Sequence, residues 1–374
     1  PVAPGQLDLA GPRYCPSIEE KIVRFGHKES HQLFLEPEGW ATGELYVQGC
    51  FTGLPPSVQI ELLRSIPALQ EVEMTRPGYA ITYDYVLPQQ LKPTLETRAI
   101  RGLFLAGQIN GTSGYEEAAA QGLYAGANAA CGVGDVEPLH LGRDQALLGV
   151  MIDDLITKEL TEPYRMLTSR AEYRMLLRGD NADLRLTPLA YHLGLVDKER
   201  QVRVAAKRAA VEGEIARLKT VTLHPSAQLE ERLHEAGLPP VAQPVSAHQW
   251  LRRPGARYAL VAERLPAPTP LSPEAAEQVE IAIQYEGYIQ KQERQVERLS
   301  RLEQRAIPEG LRYEELKGLS NEARERLAQH RPGTVGQAAR IQGVTPADVS
   351  VLLVHLDRSR RAQPPDPTSG TSVR

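Results

Sequence analysis

The chain has 374 residues, with 43 Lys and Arg against 47 Asp and Glu and a formal net charge of −4. At roughly 100–200 residues per domain this is room for two or three domains, and no apolar run approaches the ~20 residues that cross a bilayer. No global basic field advertises nucleic acid, so such binding has to use local patches; three scattered cysteines, Cys15, Cys50 and Cys131, make no disulfide framework or zinc pattern; and the opening residues lack the regions of a signal peptide, so a soluble, cytoplasmic protein is expected.

In chain order, "GPRYCPSIEE" comes first. Ser17 and Glu20 have the S-x-x-E spacing of a capping box, which predicts a helix start. Cys15 then stands just before a helix N-terminus and beside Arg13, and both features favour thiolate over thiol. The local pattern fits a reactive cysteine and a half-buried structural thiol alike. Cys50 and Cys131 read as buried structural thiols. His27 and His31, spaced by one helical turn, read as a solvated face, and no metal site is expected. "ELYVQG" (44–49) and "YAITYDYVLP" (79–88) carry the β-branched and aromatic content of strands. "SVQIELLRSI" (57–66) between them has helical periodicity.

"GLFLAGQINGTSGYEEAAAQGLYAGANAA" (102–130) is the most informative stretch. A strand is expected to run into Gly107, Gly111 and Gly114, with a helix opening near Tyr115. Glycines admit close backbone approach, and a helix N-terminus offers free N–H groups to an anion or an electron-rich ring edge. Ala118, Gly122, Gly126 and Ala130 form an i, i+4 stripe of small residues, which predicts close packing on a neighbour. A tight turn without a ligand has the same pattern, and G-x-G-x-x-G occurs nowhere in the chain.

From about Leu141 the sequence turns helical. "DQALLGVMIDDLI" is helical, Thr187-Pro188 looks like a cap with proline at the first helical position, and Asp197 opens another helix. Ser272-Pro273 starts a long helix expected to reach about Arg305. Thr334 and Gln337 form a second capping box. Gly343 ends that helix and Thr345-Pro346 starts the next, which together look like a helix-turn-helix. Arg170, Arg174 and Arg178 recur every four residues and are expected on one helix face, flanked by Arg165 and Arg185. From Tyr164 to Arg185 there are five Arg against three acids, Glu172, Asp180 and Asp183. The excess suits a phosphate-binding patch, and the same acids suit internal ion pairs. Lys317, Arg340, Arg358, Arg360 and Arg361 would be phosphate ligands of the helix-turn-helix. The expected fold class is α/β then all-α: a partial dinucleotide-binding α/β domain over 1–134, a helical domain over 135–305, a small helical subdomain over 306–362 and a disordered tail over 363–374.

"GPRYCPSIEEKIVRF" and "GQINGTSGYEEAAAQGLYAGANAA" resemble the two signature stretches of the MnmG (GidA) family of FAD-dependent tRNA wobble-uridine modification enzymes. The similarity continues through "RMLTSRAEYRMLLRGDNADLRLTPL" and "HRPGTVGQAARIQGVTPADV", and so covers nearly the whole chain. The resemblance implies the later part of a Rossmann-like FAD/NAD(P) domain followed by a helical tRNA- and partner-binding region. It implies addition of a carboxymethylaminomethyl or aminomethyl group to C5 of the wobble uridine, with FAD, NADH, a methylene-tetrahydrofolate carbon, and glycine or ammonium. It also implies a homodimer and a GTPase partner of the MnmE type. The family's NAD stretch falls on Gly11, Pro12, Arg13, Tyr14, Cys15, Pro16, Ser17, Ile18, Glu19, Glu20, Lys21, Ile22, Val23, Arg24 and Phe25. Its flavin loop falls on Gln108, Asn110, Gly111 and Gly114, and its catalytic cysteine on Cys15. Arg165, Arg170, Arg174, Arg178 and Arg185 become candidate RNA contacts. The family opens with a strand and a G-x-G-x-x-G loop for the FAD pyrophosphate, which this sequence does not contain. The expectation is that this chain by itself purifies without stoichiometric flavin. The related folate- and FAD-dependent tRNA uridine C5 methyltransferases lack so long a helical extension and stand as the alternative enzyme. A non-catalytic tRNA- or partner-binding module is the alternative from another class.

Overall fold

The computed structural model describes residues 17–79, 81, 84–158, 160, 162–303 and 305–362, without the side chains of 299, 303 and 358–362. Cys15, the rest of 11–16 and the tail after 362 lie outside the described residues. The chain divides into two units, residues 1–138 with 158–166, and residues 139–157 with 167–374.

The first unit opens on α1 (Ile18–Arg24). The Ser17 hydroxyl accepts from the Glu20 N–H at 3.3 Å, as the capping-box spacing predicts. Neither His27 nor His31 lies in a helix, so the two do not share a helical face. β1 (Phe34–Pro37) and β2 (Leu45–Gln48) pair antiparallel, with Phe34 opposite Gln48. α2 (Pro56–Arg64) follows with proline in its first turn. The strand expected over 79–88 is absent among the described residues, where Pro88–Gln90 is instead a 3₁₀ turn. "GLFLAG" shortens to one antiparallel bridge, Glu96 with Phe104. The reason is pairing. The Leu103 carbonyl and the Leu105 N–H bond to the 95–97 turn while the Leu103 N–H turns back to the Ile100 carbonyl, and a strand needs a partner along its length to extend.

α3 (Tyr115–Gly134) begins where expected but rolls differently. Its buried face is Glu117, Gln121, Tyr124, Asn128 and Cys131. Gly122, Gly126 and Ala130 are exposed, and a Cβ at either glycine would meet nothing within 4 Å. Of the small-residue stripe only Ala118 packs, against Gly107, and the rest faces away from the covered side.

The second unit is helical, which gives the α/β-then-helical order. It contains α4 (Leu147–Thr157), α5 (Ala182–His192), α6 (Lys198–Thr220), α7 (Ala227–Glu235), α8 (Ala247–Leu251), α9 (Tyr258–Arg264), α10 (Pro273–Gln284), α11 (Glu286–Glu303), α12 (Asn321–His330), α13 (Val335–Arg340) and α14 (Pro346–Ala362). One two-residue pairing, β3 (Thr222–Leu223) with β4 (Val245–Ser246), interrupts them. α6 is capped by Asp197, which accepts from the Arg200 N–H at 2.8 Å. Pro188 lies inside α5 rather than at its start. Proline leaves the carbonyl four residues earlier without its helical donor, and the Arg208 guanidinium donates to that Leu184 carbonyl. The long helix expected from Ser272 is two, because Tyr285 leaves helical geometry between α10 and α11 and Gly287 just after it is a poor helix former.

Two hydrophobic cores hold this unit. One gathers Leu218, Leu233, Trp250, Leu251, Val279 and Ile283. The other gathers Leu319, Leu327, Val335, Ala338, Ile341 and Leu352. The turn between α13 and α14 uses Gly343 at φ +89°. Thr345 and Asp348 cap α14 reciprocally: the Thr345 N–H donates to Asp348 at 3.0 Å and the Asp348 N–H to the Thr345 hydroxyl at 3.3 Å. Among the described residues no helix is long and apolar enough to cross a membrane.

Candidate functional site

The glycine loop is built by its own backbone and by one glutamine of α3. Gly107 and Gly111 have φ of +85° and +81°, a region open to glycine and costly for a side chain. Between them Gly107–Asn110 forms a 3₁₀ turn rather than the end of a strand. Gln121, fully buried, reaches back from α3: its Oε1 accepts from the Gly107 N–H at 3.1 Å and from Asn110 Nδ2 at 2.9 Å, and its Nε2 donates to the Thr112 hydroxyl at 2.9 Å. Asn110 Nδ2 also donates to the Leu105 carbonyl at 2.8 Å. The Gly111 carbonyl accepts from the Tyr164 N–H at 2.8 Å, which closes the loop against the 162–166 segment.

Gly114 caps α3 without a side chain, and a Cβ there would fall 1.6 Å from Glu117 Oε2. Glu117 Oε1 accepts from the Met166 N–H at 2.8 Å and Arg165 Nε at 3.1 Å. Burial pushes the Glu117 carboxyl up, but these bonds outweigh it and hold the pKa below the usual carboxylate range. Three buried polar atoms here have no partner: Asn110 Oδ1, Ser113 Oγ and Glu117 Oε2. Buried polar atoms are nearly always satisfied in folded proteins. Three idle ones gather at the N-terminus of a 20-residue helix whose N-cap, Gly114, has no side chain, the kind of place that can receive an anion or a polar ring edge. Of the predicted flavin-loop residues, the structure brings Asn110, Gly111 and Gly114 to this place. Gln108 is exposed in the same turn. Glu117, Gln121 and Ser113 are additions that sequence reading missed. A glutamate in the third position of a helix is ordinarily a solvated dipole partner, so nothing in the pattern distinguishes this one.

In the NAD-assigned stretch, the described residues are Ser17–Phe25. Glu19 accepts a short bond from the Thr52 hydroxyl, and its other oxygen is buried without a partner. Cys50 is half-buried, and burial pushes its thiol up against the opposing pull of Lys21. Cys131 is buried at 7 % exposure. Both behave as structural thiols.

The arginines after Tyr164 do not form a helix face. Thr168–Arg170 is a 3₁₀ turn, and 171–181 is a string of turns. Arg165 is bound to Glu117 in the first unit. Arg178 is held by Asp180 at 3.1 Å and by the Met175 carbonyl at 2.6 Å. Arg185 is held by Asn181 and the Arg178 carbonyl. Arg170 lies 3.9 Å from Asp154, and Arg174 is exposed. Arg340, expected to face phosphate, forks onto Asp153 with two bonds of 2.7 Å. The cause is a pair of buried acids. Asp153 and Asp154 sit in the apolar α4 and require cations. Arg143, also buried, supplies the first: it bonds Asp154 at 2.7 Å, Asp153 at 3.0 Å and Glu172 at 2.8 Å. Burial would pull its proton off more easily, but the acids reverse that and raise its pKa above the usual arginine value. The signal was available: two aspartates inside "LLGVMIDDLI" have to be paired if that helix is buried.

The first 137 residues match the family described as Glucose inhibited division protein A. Residues 198–293 match the C-terminal helical domain, and residues 295–372 the C-terminal helical bundle, of the tRNA modifying enzyme MnmG/GidA. The protein named tRNA uridine 5-carboxymethylaminomethyl modification enzyme MnmG from Exiguobacterium sibiricum is 54% identical over 97% of this chain and 58% of its own length. The protein of that name from Chloroflexus aurantiacus is 55% identical over 97% of this chain and 56% of its length. The structure of Aquifex aeolicus GidA in its form II crystal superposes with a TM-score of 0.76 at 46% identity, covering 92% of this chain and 55% of that one. The chain thus spans a little over half the length of the curated relatives it matches.

Proposed function

Because the chain belongs to the MnmG/GidA family of tRNA-modifying enzymes, we propose that it acts in the modification of C5 of the wobble uridine of tRNA, adding a carboxymethylaminomethyl or aminomethyl group. The observation that carries this reading is the cluster of idle buried atoms, Asn110 Oδ1, Ser113 Oγ and Glu117 Oε2, at the start of α3. It fits the polar edge of a flavin ring. Asn110 and Ser113, at the positive end of the α3 dipole, would hold that edge. Gln121 fixes the loop from behind, and Gly114 keeps the space that any Cβ would close. When bound, FAD supplies the redox capacity for fixing a one-carbon unit from methylene-tetrahydrofolate, and NADH restores the reduced state. Gly11–Phe25 is the candidate nicotinamide segment. A homodimer and a GTPase partner of the MnmE type complete the proposal.

Cys15 is the candidate for the uridine chemistry. C5 of uracil is a poor nucleophile until something adds at C6, and a thiolate is a suitable transient adduct former. A thiol can also serve as an acid or base. The test is nucleoside analysis of bulk tRNA by mass spectrometry from cells lacking this gene, restored with the unaltered gene or with Cys15→Ser. The expected outcome is loss of the C5-modified wobble nucleoside, rescued by the unaltered gene and not by the variant. Unchanged nucleosides on deletion would overturn the proposed activity. Full rescue by the variant would overturn only the role of Cys15.

A further inference from the structure

The second unit, which spends Arg178, Arg185 and Arg340 on its own acids, amides and carbonyls, leaves a different set of cations unspent. α11 carries Lys291, Arg294, Arg298 and Arg301, at steps of three and four residues, so they share one face. All four are exposed. Among the described residues none has an ion-pair partner. Arg294 Nε donates to the Gln290 carbonyl of its own helix at 3.1 Å, an exposed bond that does not neutralise its charge. At 1.5 Å rise per residue the stripe is roughly 15 Å long. Tyr288, 66% exposed, stands one turn before Lys291 at its head.

The roll of the helix is fixed. Gln292 Oε1 accepts from the Met175 N–H at 3.0 Å, and its Nε2 donates to the Glu172 carbonyl at 3.0 Å. Ile289 and Val296 are partly buried on that side. At 3.6 residues per turn the centre of the cation stripe lies roughly 140° from Gln292, so the anchoring that buries one face turns the stripe outward. Glu293 and Glu297 are exposed along its flank, and among the described residues neither is within ion-pair distance of the four cations.

We infer that the Lys291–Arg294–Arg298–Arg301 face of α11 is a phosphate-backbone contact for the RNA substrate, with Tyr288 offering a stacking surface at its end. The inference rests on the proposed action on tRNA and names where this chain grips it. The argument is charge complementarity. Four unpartnered cations in a row match a polyanion, three of them are arginines, which fork to phosphate and stack on bases, and an exposed aromatic ring beside such a row is the arrangement that takes an unstacked base. An acidic protein partner is the competing occupant, and the salt dependence of RNA binding separates the two.

The test is a titration of the Pro1–Arg374 chain with unmodified tRNA, followed by fluorescence anisotropy at several salt concentrations. Each phosphate contact contributes about 0.7–0.9 to the slope of log affinity against log salt. The variant with Lys291→Gln, Arg294→Gln, Arg298→Gln and Arg301→Gln is expected to retain its far-ultraviolet circular dichroism and to lose roughly three units of slope. If that variant fails to fold, single changes carry the test: Arg298→Gln should lose about one unit and Arg298→Lys should keep it. Slopes unchanged in both the combined and the single variants would overturn the inference and leave the face to a protein partner. Failure of the unaltered chain to bind tRNA would instead count against the proposed function itself.

Discussion

Two buried polar regions of this chain look alike in composition and differ in satisfaction. At the start of α3, Asn110, Ser113 and Glu117 each keep an atom without a partner. Around Arg143, the acids Asp153, Asp154 and Glu172 and the cations Arg143 and Arg340 are joined by bonds of 2.7–3.0 Å. Both regions concentrate charged and amide groups away from water. Only the first leaves capacity over. A buried group with no partner costs roughly 1–3 kcal/mol, so a fold that retains three of them together keeps them for something that binds. The saturated cluster has no such surplus, and its role is to hold α4, 167–172 and α13 in place. Buried polarity by itself separates neither site from scaffold; the unused hydrogen-bonding capacity does.

The largest expected effect comes from breaking the saturated region. Arg143→Met keeps the volume and removes the charge, leaving Asp153 and Asp154 partly uncompensated in an apolar helix. Removing one partner of a buried ion pair typically costs about 3–5 kcal/mol. Urea denaturation followed by circular dichroism should register a loss of that order. A loss under about 1 kcal/mol would mean that water reaches the cluster and that the contrast drawn above is false.

A smaller effect sharpens the same contrast at a second saturated site. Asp348 accepts from the Ser320 N–H at 2.8 Å, and from both the Thr345 N–H at 3.0 Å and the Thr345 hydroxyl at 2.5 Å. Burial pushes its carboxyl up, but these donors prevail and bring its pKa down to about 2. A carboxyl depressed on folding contributes stability that is fully present above its unfolded pKa, about 3.9, and is lost as pH falls through the folded value. The contribution is on the order of 2 kcal/mol. Asp348→Asn should therefore be less stable than the unaltered chain at pH 6, and the gap should close between about pH 4 and pH 2. A gap that stays constant with pH would assign the loss to packing rather than to charge.

The two regions were unequally legible in the sequence. The glycine loop announced itself, because glycine spacing ahead of a helix records a backbone need that other residues cannot meet. The caps of α1, α6, α10, α13 and α14 were legible for a similar reason, since each is fixed within a few residues of chain. The roll of α3 was not. Its small-residue stripe suggested the packed face, yet Gly122 and Gly126 are exposed and the buried face carries Gln121 and Asn128. Which side of a helix is covered depends on chain distant in sequence. The arginine pattern failed likewise. A four-residue recurrence implies a face only if the segment is helical, and 171–181 is not. Its partners, Arg143 to Glu172 and Arg340 to Asp153, are separated by tens to hundreds of residues, so no local window contains both members.

The smallest expected effect on stability tests the idle region directly. Ser113 Oγ is buried and unpartnered, so Ser113→Ala removes an unsatisfied hydroxyl and no hydrogen bond of the folded chain. Deleting such a group should leave stability unchanged or raise it by up to about 1 kcal/mol. That sign is unusual, since most substitutions at buried positions destabilise. The same change removes a group aimed at the proposed flavin edge. One hydrogen bond is worth about 0.5–1.5 kcal/mol, so flavin affinity should fall by a few-fold to about tenfold. Thermal unfolding and flavin fluorescence quenching, measured on the same preparations, should move in opposite directions. If stability falls as it does for an ordinary buried serine, the hydroxyl had a partner and the region is scaffold like the Arg143 cluster. If stability holds and flavin affinity is also unchanged, the idle atoms serve some other ligand, and the flavin assignment of the loop is wrong.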